Sequence, residues 1–277
     1  MISLIKTEPL QVERKSIAIA NLPTFLQGKK IVQLSDFHYD GLRLSPDLLI
    51  EAITLANREE PDLILLTGDY VTDEPEPIRD LVKYLKKLRS KEGIYASLGN
   101  HDIYLPHSKQ VVTHALESVG IHVLCNNIAY PWGQALPIAG LADFWSGDFQ
   151  PQLILPTLHP RQPRLVLSHN PDTARILKRW RVDLQLSGHT HGGQIYIPGY
   201  GPAPILLQQI RKITPKPLQR LIPFLQECSN VVSNWQWAQG LHYIGQNKLY
   251  VNRGLGTYFP GRFFCPPELT VITLIPW

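Results

Sequence analysis

A chain of 277 residues, 44% hydrophobic and 18% charged, holds enough apolar material for a substantial core, which excludes wholesale disorder. Its net charge of +4 comes without a dense Lys/Arg stripe, so it suits anionic substrates and no nucleic-acid partner is expected. The three cysteines, Cys125, Cys228 and Cys265, are too scattered for a disulfide framework or a thiolate zinc cluster, and a reducing, cytoplasmic home is the simplest reading.

At the N-terminus, charges interrupt MISLIKTEPLQVERKSIAIA before any apolar run reaches signal-peptide length. Nowhere do about 18 apolar residues occur in succession, so neither an export signal nor a membrane span is expected. The run 31–34 reads as a buried strand, and Ser45 before Pro46 predicts a capped helix over 46–58. A strand at 63–66 precedes a helix at 77–89, which has Ile78, Leu81, Val82, Leu85 and Leu88 at core spacing. Next come a strand at 93–98, a helix at 107–119 and a strand at 121–124. The pattern βαβαβαβ favours parallel strands covered by helices.

The second half is richer in strands, at 136–141, 164–167, 182–186, 194–197, 248–251 and 269–275. A helix at 172–180 is expected between them, capped by Asn170 with Pro171 at its first position. The expected fold is α/β: two mixed sheets packed as a β-sandwich with helices outside, in one domain over 1–277 without repeats or linkers. Residues 202–227, PAPILLQQIRKITPKPLQRLIPFLQE, break the rhythm with short basic amphipathic pieces. Two readings stay open: an excursion packing its apolar side on the core, or a cap-like insertion over 202–238 touching membrane or a lipid-bearing substrate. Trp235 and Trp237 suit either a core or a pocket wall.

The residues just beyond each apolar run carry the chemistry. Asp36 and His38 lie after the first strand, Gly68-Asp69 after the second and Gly99-Asn100-His101-Asp102 after the third, while Ser168-His169 and GHTHGGQ (188–194) end strands of the second half. The carboxyl ends of strands with helical crossovers are where ligands bind. Asp36, His38, Asp69, Asn100, His169, His189 and His191 form an oxygen and imidazole set too large for one tetrahedral ion. They suit two divalent ions about 3.5–4 Å apart that share a carboxylate. Ligation without thiolate fits Mn, Fe, Zn or Co. Gly68, Gly99 and Gly188 each precede a candidate ligand and are expected to turn the chain toward the ions through backbone angles closed to other residues.

These motifs, Asp36-x-His38, Gly68-Asp69, GNHD at 99–102, His169 and GHTH at 188–191, resemble the complete set of the calcineurin-like metallophosphoesterases, in that family's order. HGGQ, VNRGLG at 251–256 and PPEL at 266–269 are further similar to its bacterial YkuE/YaeI-type branch of membrane-associated phosphoesterases. The resemblance implies a four-layer αββα fold and hydrolysis of phosphate ester or pyrophosphate bonds by hydroxide activated between two metals. It implies Asp36, His38 and His191 on one ion, Asn100, His169 and His189 on the other, and Asp69 bridging. His101 becomes the catalytic proton donor to the leaving group, and Asp102 orients its ring.

Arg253 in VNRGLG is a candidate phosphate donor. The other histidines, His107, His114, His122, His159 and His242, lack such placement. Ser168-His169 lacks a G-x-S-x-G elbow, and Gly254-Leu255-Gly256 leads to Phe259 where a dinucleotide motif requires glycine. The rival from another class is a non-catalytic metal-binding scaffold that engages a protein partner. For an enzyme, the resemblance tilts the substrate toward a phosphorylated small molecule or a lipid- or nucleotide-linked diester or pyrophosphate, met by a cytoplasmic protein peripheral to the membrane.

Overall fold

From the N-terminus the chain runs through β1 (Gln11–Ile19), β2 (Lys30–Leu34), α1 (Pro46–Arg58), β3 (Leu63–Thr67), α2 (Ile78–Leu85), β4 (Ile94–Ser97), α3 (Ser108–Glu117) and β5 (Ile121–Val123). It continues through β6 (Asn127–Ala129), β7 (Ile138–Gly140), α4 (Pro151–Ile154), β8 (Leu165–Leu167), α5 (Ala174–Leu177) and β9 (Leu184–Ser187). The last third holds β10 (Tyr196–Ile197), β11 (Gly201–Pro202), α6 (Ala203–Ile213), α7 (Lys216–Gln219), β12 (Gly240–Ile244), β13 (Asn247–Val251) and β14 (Glu268–Pro276). This is a computed structural model, and it describes residues 7–219, 222, 225 and 231–277.

The strands form two six-stranded sheets, ordered β1-β14-β2-β3-β4-β5 and β12-β13-β9-β8-β7-β6. Pairing within β2-β3-β4-β5 and within β13-β9-β8-β7 is parallel, while β14 against β2, β12 against β13 and β6 against β7 are antiparallel. Both sheets are therefore mixed, as expected.

Strand alternation sorts the apolar residues into layers. Val32, Leu34, Ile64 and Leu66 join Leu49, Ile53, Leu81, Leu85 and Val112 in a core between the first sheet and α1–α3. Their neighbours Ile31, Leu63 and Leu65 turn the other way and meet Leu165, Leu167, Leu184 and Leu186 between the sheets. Ala139, Val166, Leu155, Leu177 and Val182 pack outside the second sheet. Helices, sheet, sheet and helices make the four-layer arrangement.

Several elements depart from the sequence reading. β1 has no counterpart in it; this strand pairs in parallel with β14 over its whole length, Gln11 opposite Glu268. The strand expected at 194–197 is reduced to β10, in a small hairpin with β11. The helix expected at 172–180 becomes a 3₁₀ turn, Pro171–Thr173, running into α5, with the Asn170 side chain accepting from the Asp172 N–H. Of the excursion at 202–227, α6 and α7 are described, whereas 220, 221, 223, 224, 226 and 227, and 228–230 just beyond it, lie outside the described residues. Ile205 of α6 packs on a buried group of Val232, Trp235 and Ala238, whereas Ile213 and Leu218 are exposed. Among the described residues no helix is long and apolar enough to cross a membrane.

Candidate metal centre

The loops after β2, β3, β4, β8 and β9 meet at one rim because both sheets deliver the carboxyl ends of their parallel strands there. Backbone bonds lock the loops together: the Asp36 N–H donates to the Gly68 carbonyl and the His38 N–H to the Asp69 carbonyl, both at 3.0 Å. Gly68 has φ +88°, and a Cβ there would lie 2.5 Å from the Gly99 nitrogen and 2.8 Å from His169 Nδ1. Gly188 matters for space alone, since a Cβ would strike Ser35 Oγ and Asp36 Oδ2. The expectation that the glycines supply the unusual angles holds only for Gly68. Instead Asp36, His38, Asp69, His189 and His191 themselves have positive φ, between 43° and 73°. Non-glycine residues held so are uncommon and cluster at functional sites, where the surrounding structure imposes the strain.

Six of the seven candidate ligands fall into two adjoining groups. Asp36, His38 and His191 offer ligand atoms within 4.8 Å of one another, as do Asp69, His169 and His189. The Asp69 carboxylate lies 3.0 Å from His169 Nε2 and 3.5 Å from His38 Nε2, so it stands between the groups. His38 Nε2 and His191 Nε2 are 3.1 Å apart. Asn100 Oδ1 and Asp36 Oδ2 are buried without a hydrogen-bond donor. Unsatisfied buried oxygens beside converging imidazole nitrogens are electron-pair donors that lack only a cation.

Each imidazole is fixed at its far nitrogen, which leaves the near one for the centre. His169 Nδ1 meets the Thr67 carbonyl at 2.5 Å, His189 Nε2 the Val231 carbonyl at 2.9 Å and His191 Nδ1 the Gly256 carbonyl at 3.1 Å. His38 Nδ1 lies 3.0 Å from the Tyr258 hydroxyl.

Burial would raise the Asp69 carboxyl, but His169, His101 and His38 hold it well below the usual carboxylate range. At His169 burial works to depress the imidazole, and Asp69 and Asp36 overcome it, pushing it up to about 10. Burial dominates at His189 and His191, bringing both down to about 3, and it pushes Asp36 up to about 6. Near neutral pH the metal-free centre therefore holds an anionic Asp69, neutral His189 and His191, and a protonated His169. A cation taking His169 Nε2 must displace that proton, because below about pH 10 the free site keeps it. At the ligand group that contains His169, manganese affinity is thus expected to rise about tenfold per pH unit between about pH 7 and 8.5, one proton being released there, while the group of Asp36, His38 and His191 has no such proton to lose. Competition titration against a chelator of known proton linkage checks this; a flat profile would mean that His169 is neutral in the free protein.

A cavity of about 460 Å³ opens onto the cluster. Asp69, Asn100, His101, His189 and His191 form its polar floor, and Trp145, Pro204, Val231, Trp235 and Phe259 form an apolar wall. His101 Nδ1 meets the Thr72 carbonyl at 2.7 Å, and its backbone N–H donates to Asp69 Oδ1 at 3.0 Å.

Asp102 does not hold the His101 ring. Its carboxylate accepts the backbone N–H groups of Gly99, Asp69 and Tyr70, each at 2.8 Å, and so ties two ligand loops together. The turn Asn100–Tyr104 is helical, and consecutive side chains leave such a turn in different directions. Arg253 is likewise not directed at the cavity: its guanidinium pairs with Glu268 at 2.9 Å and Glu13 at 3.1 Å, between β13, β14 and β1. Thr72 and Tyr258 carry no recognisable signal in the sequence. Arg262, fully buried, donates to the carbonyls of Arg253, Gly254 and Gly256 and braces the loop that carries Tyr258.

Residues 29–193 match the family model described as calcineurin-like phosphoesterase. The chain is 33% identical to phosphodiesterase YaeI of Escherichia coli, over 89% of its own length and 82% of that protein's. It is also 33% identical to the uncharacterized metallophosphoesterase YkuE of Bacillus subtilis, covering 96% and 87%. UDP-2,3-diacylglucosamine pyrophosphatase LpxG of Chlamydia muridarum is 29% identical, covering 89% and 84%.

Proposed function

Because the chain belongs to the calcineurin-like phosphoesterases and is a hydrolase, we propose that it cleaves a diester or pyrophosphate linkage, with Asp36, His38 and His191 holding one divalent ion and Asn100, His169 and His189 a second. Asp69 is shared between them. The supporting observation is a single buried carboxylate standing between the two ligand groups at the floor of an open cavity. Divalent ions held there, Mn, Fe, Zn or Co by their donors, would supply Lewis acidity for activating water near neutral pH and offsetting charge on phosphoryl oxygens.

The chain's own residues do the rest. With its Nδ1–H donated to the Thr72 carbonyl, the His101 ring points Nε2 at the cavity; in its doubly protonated form it gives the Nε2 proton to the departing oxygen and is left as the neutral Nδ1–H tautomer. Asn100, beside it, presents the amide oxygen that lacks a donor. Asp102 ties the loops of Asp69 and Gly99 together, which holds Asp69 against the turn that carries Asn100 and His101. Arg253 is not assigned to substrate, since acidic partners already hold its guanidinium.

We assign 202–238 as a cap on the strength of its described residues, because Pro204, Val231 and Trp235 line, as part of its apolar wall, the same cavity as Asp69, Asn100, His189 and His191. Such a wall fits an acyl or other apolar substituent beside the reacting phosphate better than a fully polar nucleotide. A lipid-linked substrate, reached by a protein lying against the membrane, is suggested by that wall and by the name of the chlamydial relative. Turnover of UDP-2,3-diacylglucosamine in mixed micelles, compared under manganese with a soluble diester, a monoester and a cyclic nucleotide, tests it. Preference for the lipid-linked compound is expected; rapid turnover of soluble nucleotides with the lipid refused would overturn the substrate assignment and leave the reaction class standing.

A further inference from the structure

The rings of His38 and His101 are joined by contacts that start at Tyr258, on the cavity wall, and run behind it. The Tyr258 hydroxyl, 3.0 Å from His38 Nδ1, begins the path, and the Tyr258 ring lies beneath the Arg43 guanidinium, 4.5 Å from Cζ to centroid. Arg43 is ion-paired with Asp40, whose carboxylate also accepts the backbone N–H groups of Leu42 at 2.8 Å and Arg43 at 2.9 Å. That carboxylate accepts the Thr72 hydroxyl at 3.1 Å, and the Thr72 carbonyl faces His101 Nδ1 at 2.7 Å. The Thr257 N–H, donating to the Arg43 carbonyl at 2.9 Å, ties the same loops through the backbone. Asp40, Arg43 and Thr72 do not line the cavity.

We infer that Thr72 and Asp40 are positioning residues of the hydrolysis, fixing the tautomer and direction of the His101 ring from behind. The inference rests on His101 as proton donor. A carbonyl can only accept, so Thr72 selects the ring form with hydrogen on Nδ1 and directs Nε2 to the cavity. Thr72 belongs to a stretch without helix or strand, and a peptide plane there is free to tilt unless anchored. Its hydroxyl supplies the anchor by bonding Asp40, and Arg43 holds Asp40 in turn. Tyr258 extends the brace to His38, so the loop of one ligand group and the proton donor share one support.

Thr72→Val keeps the β-branched shape and the carbonyl but removes the anchor, while Thr72→Ser restores it. On a manganese-loaded diester with an alkyl leaving group, Thr72→Val is expected to lower kcat about tenfold, part of the acid contribution. KM and metal content should stay at wild-type values, the loss should shrink with a p-nitrophenyl leaving group, and Thr72→Ser should match wild type. Nitrogen–proton correlation spectra of the metal-free protein, recorded at a pH where the His101 ring is neutral, give an independent readout of the form left after proton donation: a single Nδ1–H tautomer in wild type and Thr72→Ser, and mixed tautomers in Thr72→Val and Asp40→Asn. If His101→Ala shows the leaving-group-dependent loss while Thr72→Val and Asp40→Asn behave as wild type in both readouts, the positioning role is overturned. If His101→Ala shows no such loss, the proton-donor assignment falls, and this inference with it.

Discussion

His101→Ala is expected to reduce turnover of a phosphodiester with a poor leaving group by about 10²–10⁴, the usual contribution of a positioned general acid. Metal content should be unchanged, which separates this role from its rival. His101 offers a nitrogen within reach of His38 and Asp69, so a ligand role would show as lost metal. The geometry favours the acid: Nδ1 is taken by the Thr72 carbonyl, and the ring lines the cavity. The defect should be small for a p-nitrophenyl ester, whose leaving group departs without a proton. Kinetics on two leaving groups with elemental analysis of the same samples settle the matter. A uniform loss across leaving groups, or loss of bound metal, would count against proton donation.

Asp69→Asn should have the larger effect on the metals. The carboxylate faces His169 at 3.0 Å and His38 at 3.5 Å, one from each ligand group, and its charge is what keeps His169 protonated in the free site. Outer partners of a metal ligand alone change affinity by about 10–100-fold, so replacing the shared anion should exceed that for both sites. Asparagine keeps an oxygen for the His101 N–H, and the fold should survive. Expected are a protein with wild-type circular dichroism, a minor fraction of the wild-type metal and hydrolysis below detection. Full metal occupancy in this variant would remove Asp69 from the bridging position.

Much of this arrangement is legible because period-two alternation and strand-end placement are local properties of the sequence. Ile31 and Val32 on opposite faces of β2, or His189 and His191 after β9, need no long-range information. β1 escapes such a reading because QVERKSIAI sits at a sheet edge, where the charges of Glu13, Arg14 and Lys15 are tolerated and blur the alternation. That omission also hides the fate of Arg253, since Glu13 arrives on the unrecognised strand and Glu268 on its partner. Asp102 misleads because adjacency in sequence to His101 suggests contact, whereas the turn sends the two side chains apart. Thr72 acts through its carbonyl, which every residue possesses, and Tyr258 comes from a loop far along the chain, so side-chain identity signals neither.

Anomalous diffraction at the manganese edge, from crystals grown with an excess of that ion, bears most directly on the claim that loops from both sheets build one centre for a pair of cations. Expected are two peaks about 3.5–4 Å apart, with Asp69 contacting both, Asp36, His38 and His191 around one, and Asn100, His169 and His189 around the other. A single peak bound away from Asp69, or no peak among these side chains, would contradict it.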